Sequence, residues 1–117
     1  MEITFFEFLD SLSTQTVKSM DEEAKETLQG IYEFGIKAHA GQLRASGQPY
    51  FFAHCVPVAQ KISELGYSWE VVAAGLLHDT IEDTNVTEKE LAEKFSPSIA
   101  SMVQGVSKLG KLKYKGS

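Results

Sequence analysis

Residues 71–84 of this sequence read Val71-Val72-Ala73-Ala74-Gly75-Leu76-Leu77-His78-Asp79-Thr80-Ile81-Glu82-Asp83-Thr84. The first seven have no polar side chain, and a helix that is apolar on every side is a central one, packed by neighbours all round. We therefore predict a central helix that runs on into the polar residues. Residues three or four apart lie on the same face of a helix, so Asp79 would lie on the face of Leu76 and His78 on the face of Ala74.

The polar end of this segment conflicts with helix electrostatics. Asp79, Glu82 and Asp83 crowd the C-terminal end of the predicted helix, where the helix dipole disfavours negative charge by about 0.3–1 kcal/mol each. A bound cation relieves this repulsion, and His78 beside Asp79 offers it one nitrogen and one oxygen ligand. The alternative is an ordinary helix end with solvated acids, in which His78 only fills space. The segment alone leaves both interpretations open.

Helical periodicity recurs along the rest of the chain. We predict about six helices, near residues 3–12, 20–40, 54–65, 69–84, 87–95 and from 97 onward. Their starts are marked by capping residues, namely Ser19-Met20-Asp21-Glu22, Ser68, Thr87-Glu88-Lys89-Glu90 and Ser96-Pro97. Residues 11–19 are polar and are predicted to be a connection. No strand-like alternation occurs, so we expect one all-α domain, a helical bundle over residues 1–117.

Composition argues against several classes of protein. The sequence has 11 Lys and Arg against 16 Asp and Glu, a net charge of −5, which argues against broad binding to nucleic acid. A small polyanion could still bind through a metal and a few local cations. No apolar run approaches the roughly 20 residues of a membrane span, and the first residues lack the features of a secretory signal. Cys55 is the only cysteine, so no internal disulfide is possible and the cytoplasm is the expected compartment. The oligomeric state stays open.

Three residues outside the central segment carry candidate chemistry. His39 lies at the edge of an apolar stripe, and we interpret it as a structural histidine with a hydrogen-bond partner rather than as a metal ligand. His54 flanks the stripe of the next helix, and on its own it is also interpreted as structural. Arg44 lies in a loop rich in Gly, Ser and Pro, where it is either solvated or a clamp for a phosphorylated or planar ligand. The basic residues at 108–115 are interpreted as a solvated tail, with an anion site as the alternative.

Four stretches of the sequence, taken in order, resemble one family. They are His39-Ala40-Gly41-Gln42 with Arg44 and Ser46-Gly47-Gln48-Pro49-Tyr50; His54; Leu76-Leu77-His78-Asp79-Thr80-Ile81-Glu82-Asp83-Thr84; and Gly105-Val106-Ser107-Lys108-Leu109. Together they resemble the HD-type hydrolase domain of the RelA/SpoT alarmone enzymes, over about residues 30–112. The resemblance implies a manganese-dependent hydrolase that removes pyrophosphate from the 3′ position of ppGpp or pppGpp and returns GDP or GTP.

The resemblance also implies roles for individual residues. The positions that match the metal ligands of the family are His54, His78 and Asp79. Glu82 and Asp83 match the acidic pair that positions and deprotonates the attacking water. Arg44 matches a wall of the guanine pocket, and Ser46 lines it too. The ligand types suit Mn²⁺, Fe²⁺ or Zn²⁺ alike, so manganese is implied by the family alone.

The sequence departs from the family pattern in three places. The histidine usually comes three residues after the tyrosine of Pro-Tyr, whereas His54 comes four after Tyr50, as if one residue were inserted. Ala45 follows the arginine where a basic residue is common, which weakens the expected grip on guanine. A further aspartate ligand of the family lies beyond the Lys-Leu segment, and this sequence stops at Ser117 without it. We therefore expect weaker metal binding and no C-terminal helices of the family, either in a fragment of a longer hydrolase or in a chain that no longer turns over.

Other functions remain as alternatives to (p)ppGpp hydrolysis. One is an HD-type phosphohydrolase of another nucleotide. Another is a catalytically incomplete module that binds a nucleotide or a partner through the same pocket. The last is a plain helical interaction domain, which predicts no bound metal.

Overall fold

The computed structural model describes the backbone of residues 2–115 and the side chains of residues 2–106. The α-helices are α1 (Phe5–Asp10), α2 (Thr14–Lys18), α3 (Glu22–Ala38), α4 (Val56–Glu64), α5 (Trp69–Leu77), α6 (Thr80–Asp83), α7 (Glu88–Lys94) and α8 (Pro97–Lys115). A π-helical segment, Phe51–Cys55, leads directly into α4. The described residues contain no strand beyond an isolated bridge between Leu43 and Pro49. The all-α prediction is confirmed, with more and shorter helices than the six expected.

Helix α5 lies at the centre of the bundle. It contacts α3, α4, α8 and the π-helical segment, and every residue from Val72 to Leu77 is buried. Leu76 and Leu77 are 0% exposed, and burying a side chain of this size is worth about 1.5–3 kcal/mol. The prediction of a central helix that is apolar all round is therefore confirmed.

Helices α4 and α5 pack closely at a glycine. A Cβ atom on Gly75 would lie 2.7 Å from Cδ1 of Ile62 and 3.3 Å from the Cα of Ala59. The second of these is a backbone atom, so a side-chain rotation alone would not relieve the contact. His54 precedes Ala59 by five residues, and His78 follows Gly75 by three. The close contact therefore holds both histidines near the same end of the helix pair.

The helix starts predicted at Thr87 and Ser96 are confirmed, although only one of the two hydrogen bonds of a capping box is present at Thr87. The hydroxyl of Thr87 accepts a hydrogen bond from the N–H of Glu90, and the hydroxyl of Ser96 accepts one from the N–H of Ile99. Ser68 occupies the N-cap of α5 in an extended conformation but makes no capping hydrogen bond through its side chain. Local capping chemistry therefore locates α7 and α8 well.

The predicted capping box at Ser19 is wrong. Helix α3 begins at Glu22, and its cap is Asp21, whose carboxylate accepts from the N–H of Ala24 at 2.8 Å. Ser19 instead follows α2, a short helix in the region predicted to be a connection, and its hydroxyl donates to the carbonyl of Thr16. Two capping residues stand two positions apart here, and the more C-terminal one is used.

Two further expectations concerned membrane-spanning helices and the basic residues near the end of the sequence. No helix in the described part of the chain is both long and apolar enough to span a membrane. The basic tail predicted at 108–115 concerns side chains that lie outside the described residues.

Candidate metal centre

The central helix ends at Leu77 instead of continuing to Thr84 as predicted. Nδ1 of His78 lies 2.6 Å from the carbonyl oxygen of Gly75, which is the acceptor that a continuing helix would use for the N–H of Asp79. A separate short helix, α6, begins at Thr80. The predicted continuation of the helical rows through His78 and Asp79 is therefore wrong, because a side chain takes the place of the backbone donor. Glu82 and Asp83 lie on α6, beyond this turn.

Three side chains from two neighbouring elements converge beside this turn. Nε2 of His54 lies 3.1 Å from Oδ2 of Asp79, and Nε2 of His78 lies 3.0 Å from the same oxygen. The two Nε2 atoms are 3.2 Å apart. The side chains are 28%, 13% and 19% exposed for His54, His78 and Asp79, so the cluster is half-buried and still reachable from solvent.

The π-helical segment positions His54 in this cluster. The N–H of Val56 donates to the carbonyl of Phe51, five residues back, where an α-helix would bond four residues back. A π-turn holds one residue more than an α-helical turn, and the resemblance to the family implied one extra residue between Tyr50 and His54. Phe51 and Cys55 point into the core, while His54 stays at its edge and faces His78.

The charge state of Asp79 follows from its neighbours. Burial by itself raises the pKa of this carboxyl, but hydrogen bonds from His78 and Tyr50 and the charges of the two histidines lower the pKa to about 2. The group is therefore an ionised carboxylate near neutral pH, which is the form that binds a metal.

The two histidines differ in their preferred charge. Burial lowers the pKa of His78, but hydrogen bonds to Asp79 and to the Gly75 carbonyl outweigh it, and the pKa is raised. For His54 burial dominates and the pKa is lowered, although Asp79 opposes the shift. Because Nδ1 of His78 faces a carbonyl oxygen, the neutral ring carries its lone pair on Nε2, directed at a carboxylate. That contact requires either a proton or a cation between the two atoms.

The cluster fits a divalent ion. One nitrogen from each histidine and one carboxylate oxygen lie within 4.8 Å of one another, and this is the one such group among the residues whose side chains are described. A triangle with sides of 3.0–3.2 Å accommodates an ion about 2.1 Å from each atom, the usual length of Zn–N and Zn–O bonds. The Gly75 carbonyl orients His78, as partners of metal-binding histidines commonly do. Two imidazoles and one carboxylate suit Mn²⁺, Fe²⁺ or Zn²⁺.

Sequence reasoning missed Tyr50 as a member of this site. Its hydroxyl donates to Oδ2 of Asp79 at 2.7 Å, and its ring lies 5.2 Å from the ring of His54. Burial and the hydrogen bond to the Asp79 carboxylate raise the pKa of Tyr50, so the phenol keeps its proton and acts as a donor. Tyr50 and Asp79 are 29 residues apart, a separation at which no local spacing signals contact.

The acidic pair lies beside the cluster rather than in it. Glu82 and Asp83 line an open cleft of about 720 Å³ together with Gln42 and Glu90. The negative charge of Asp83 contributes to raising the pKa of His78, so this carboxylate is near the cluster. The acidic pair therefore faces a cleft whose lining does not include His54, His78 or Asp79, and its role as proton acceptor stays a prediction.

The two residues predicted to contact substrate lie on the loop between α3 and the π-helical segment. Hydrogen bonds close this loop, including one of 2.9 Å from the N–H of Arg44 to the carbonyl of Gln48. The guanidinium carbon of Arg44 lies 6.0 Å from the centre of the Tyr50 ring, which brings a cation to the edge of the site. Ser46 is exposed on the same loop.

His39 is a structural histidine, as the sequence suggested. It is 3% exposed, and its Nδ1 lies 2.7 Å from the side-chain oxygen of Gln42. Its ring packs against that of Tyr50, with the ring centres 5.2 Å apart.

The structure is an all-α bundle in which two histidines and an aspartate from adjacent elements form a cluster suited to a divalent ion. This combination defines the class of protein. The sequence model of the HD domain family matches residues 32–115, and the chain belongs to this family. The resemblance to the HD domain of the RelA/SpoT enzymes is confirmed by this match and by relatives that are named as (p)ppGpp hydrolases.

Three relatives illustrate the similarity. The chain is 47% identical over 90 residues to a guanosine-3′,5′-bis(diphosphate) 3′-pyrophosphohydrolase of Aquifex aeolicus, covering 77% of this chain and 13% of the relative. It is 54% identical over 78 residues to the protein of the same name from Haemophilus influenzae, covering 67% and 11%. It is 40% identical over 106 residues to the bifunctional (p)ppGpp synthase/hydrolase SpoT of Escherichia coli, covering 91% and 15%. The chain therefore spans between a tenth and a sixth of the length of these relatives.

Proposed function

We propose that this chain is a metal-dependent (p)ppGpp 3′-pyrophosphohydrolase domain, which converts ppGpp or pppGpp and water into GDP or GTP and pyrophosphate. The observation that carries the proposal is the convergence of His54, His78 and Asp79 on one point, with distances of 3.0–3.2 Å between their polar atoms. The names of the relatives support the choice of substrate, and the donor set supports the use of a metal.

In this proposal His54, His78 and Asp79 hold a divalent ion, and Mn²⁺ is the ion we propose. When bound, such an ion neutralises phosphate charge and lowers the pKa of a water molecule. The chain contributes a carboxylate that stays ionised and a His78 ring that is fixed by the Gly75 carbonyl at 2.6 Å. Both features lower the reorganisation that metal binding requires.

Glu82 and Asp83 are proposed as the groups that manage the proton. One of these carboxylates accepts a proton from the attacking water, whose oxygen forms the new bond to phosphorus. The bond between phosphorus and the 3′ oxygen breaks, the 3′ oxygen takes up a proton, and pyrophosphate leaves. Their position on α6, lining the cleft beside the cluster, supports this role.

Arg44 and Ser46 are proposed to bind the nucleotide. A guanidinium stacks on planar groups and forms paired hydrogen bonds with phosphate or with a guanine edge. Arg44 already lies near the Tyr50 ring, so a ligand held by Arg44 would extend toward the metal centre. Ser46 adds a hydroxyl on the same exposed loop.

The test is metal retention and pyrophosphate release by single variants. His78→Ala and Asp79→Ala should each abolish Mn²⁺ binding, measured by titration calorimetry, and abolish pyrophosphate release from ppGpp. Circular dichroism confirms that each variant is folded. Activity equal to that of the parent in either variant would exclude the assigned metal centre.

The proton acceptor is tested with a matched pair of carboxylates. Glu82→Gln should retain Mn²⁺ and lose turnover, because the amide cannot accept the proton of water. Glu90→Gln removes a carboxylate from the lining of the same cleft and should keep its activity. Equal turnover by the two variants would remove Glu82 from the mechanism. Arg44→Ala should mainly raise KM.

A second candidate is hydrolysis of a different nucleotide, which is favoured by Ala45 in the place of the family's basic residue. A panel of ppGpp, pppGpp, GTP and ATP with added Mn²⁺ separates the two. Release of pyrophosphate from ppGpp or pppGpp, but not from GTP or ATP, supports the proposal. Binding of ppGpp without release would instead identify a nucleotide-binding module.

A further inference from the structure

Tyr50 connects the loop that carries Arg44 to the metal centre. Its hydroxyl donates to Oδ2 of Asp79 at 2.7 Å. That oxygen is the atom that Nε2 of His54 and Nε2 of His78 approach at 3.1 and 3.0 Å. The hydrogen bond therefore acts on the one carboxylate oxygen that faces both histidines.

The phenol itself is held from several sides. The backbone N–H of Tyr50 donates to the carbonyl of Gln42 at 2.9 Å. Its ring contacts two histidine rings, with its centre 5.2 Å from that of His39 and 5.2 Å from that of His54. His39 is itself 3% exposed and held by Gln42 at 2.7 Å. The backbone N–H, the ring and the hydroxyl of Tyr50 all have partners, and these contacts together restrict the movement of the side chain.

A carboxylate on a short side chain rotates freely unless something holds it. The last torsion of aspartate joins an sp³ to an sp² carbon, and its energy profile is broad. A free carboxylate would lose this rotational freedom when an ion binds, and the loss would weaken the affinity. A donor that fixes the orientation beforehand removes that cost, and partners of this kind typically change metal affinity 10–100-fold.

We propose that Tyr50 is a positioning residue of the metal centre, which holds the Asp79 carboxylate in its ion-binding orientation through the hydroxyl. The inference rests on the proposed metal centre. It assigns to Tyr50 no contact with substrate, and it requires the hydroxyl rather than the ring.

The experiment compares Tyr50→Phe with Tyr32→Phe. Both substitutions delete one hydroxyl and keep the ring. The hydroxyl of Tyr32 also donates at 2.7 Å, to the carbonyl of Ile3, and Tyr32 is 2% exposed, but Ile3 is not part of the site. Each protein is stripped with EDTA, and the dissociation constant for Mn²⁺ is measured by titration calorimetry, with thermal unfolding of the metal-free protein measured in parallel.

We expect Tyr50→Phe to raise the Mn²⁺ dissociation constant by about tenfold and Tyr32→Phe to leave it within about twofold. Both variants should unfold at a lower temperature than the parent, because each loses a hydrogen bond. A Tyr50→Phe protein that is less stable but binds Mn²⁺ as tightly as the parent would show a purely structural role and overturn the inference.

A spectroscopic measurement provides a second readout. With saturating Co²⁺, the visible absorption bands of the bound ion report the arrangement of its ligands. They should shift in Tyr50→Phe and not in Tyr32→Phe, and identical spectra in all three proteins would contradict the inference. A parent protein that binds neither ion overturns the metal centre together with the role of Tyr50, whereas normal binding with no effect of Tyr50→Phe overturns the role of Tyr50 alone.

Discussion

The sharpest test of the packing that supports the site is Gly35→Ala. Gly35 is buried in α3, and a Cβ atom there would overlap Cε1 of Phe51 and lie 3.0 Å from Cδ1 and Cζ of the same ring. Phe51 is 2% exposed, and its ring packs edge-on against that of Tyr32 with centres 5.4 Å apart. The ring therefore has no free space to move into, and Phe51 is also the first residue of the π-helical segment that carries His54.

The magnitude follows from two opposing effects. Replacing glycine by alanine inside a helix gains about 1 kcal/mol of helix propensity. Forcing a methyl group into a packed core costs about 1–3 kcal/mol, and an overlap this deep against a core ring belongs at the upper end. The net expectation is a loss of about 2 kcal/mol in the free energy of unfolding. Displacement of Phe51 should also weaken Mn²⁺ binding, because the ring begins the turn that carries His54.

The matched control is Gly30→Ala in the same helix. A Cβ atom on Gly30 would meet only Cε1 of Phe95, at an ordinary distance of 3.8 Å, so this variant should gain about 0.5–1 kcal/mol. Urea unfolding followed by circular dichroism gives both values, and the two variants should differ in melting temperature by about 10 °C. Equal stability of the two variants, or a Gly35→Ala protein more stable than the parent, would refute the packing argument.

Three further predictions concern stability in the metal-free protein. Leu76→Ala removes a fully buried side chain of the central helix and should lower the free energy of unfolding by about 3 kcal/mol in urea; a loss below 1 kcal/mol would contradict the central position of α5. The hydroxyl of Thr80 is buried with no hydrogen-bond partner among the described residues, so Thr80→Val should stabilise the protein by about 1 kcal/mol, and a loss would show that the hydroxyl has a partner. The pKa of Asp79 is lowered from 3.8 to about 2 in the folded protein, so its ionised carboxylate adds about 2 kcal/mol to the free energy of unfolding. This stabilisation is present above pH 4 and is lost as the pH falls through 2. Asp79→Asn should flatten that decline in urea titrations between pH 4.5 and 2, and an unchanged slope would exclude Asp79 as its source.

The helices that depend on local chemistry could be predicted from the sequence. The apolar run before His78 requires burial on every side whatever surrounds it, and the caps at Thr87 and Ser96 act within three residues. The role of His39 as a structural histidine also followed from its place at the edge of a stripe. Each of these features has its cause within one or two helical turns of the chain.

The break after Leu77 could not be predicted in the same way. Hydrophobic periodicity says nothing about which donor takes the carbonyl of Gly75, and in the structure Nδ1 of His78 takes it. His54, His78 and Asp79 do lie within 3.2 Å of one another, but not along the continuous helix that was predicted, and their role as metal ligands stays a prediction. The turn, rather than a continuous helix face, brings the two side chains together.

The part played by Tyr50 lay beyond any local pattern. The hydrogen bond to Asp79 joins residues 29 positions apart, and it forms only once α5 packs against the π-helical segment. The same holds for Gly35 and Phe51, whose close contact is visible only in the packed structure. Long-range contacts of this kind determine how the side chains of the site are oriented, whereas the sequence alone indicates only which residues take part.

The π-helical segment has a consequence for how this site could change by insertion or deletion. One residue of an α-helix corresponds to a rotation of about 100°, so an extra residue in a regular helix would turn the preceding loop away from His54. The wide turn in Phe51–Cys55 takes up one residue more than an α-helical turn, so the rest of the helix keeps its direction, and Arg44 and Tyr50 stay beside His54. Deleting one residue of this segment should convert it to a regular α-helix and leave the loop and the histidine on the same side of the molecule.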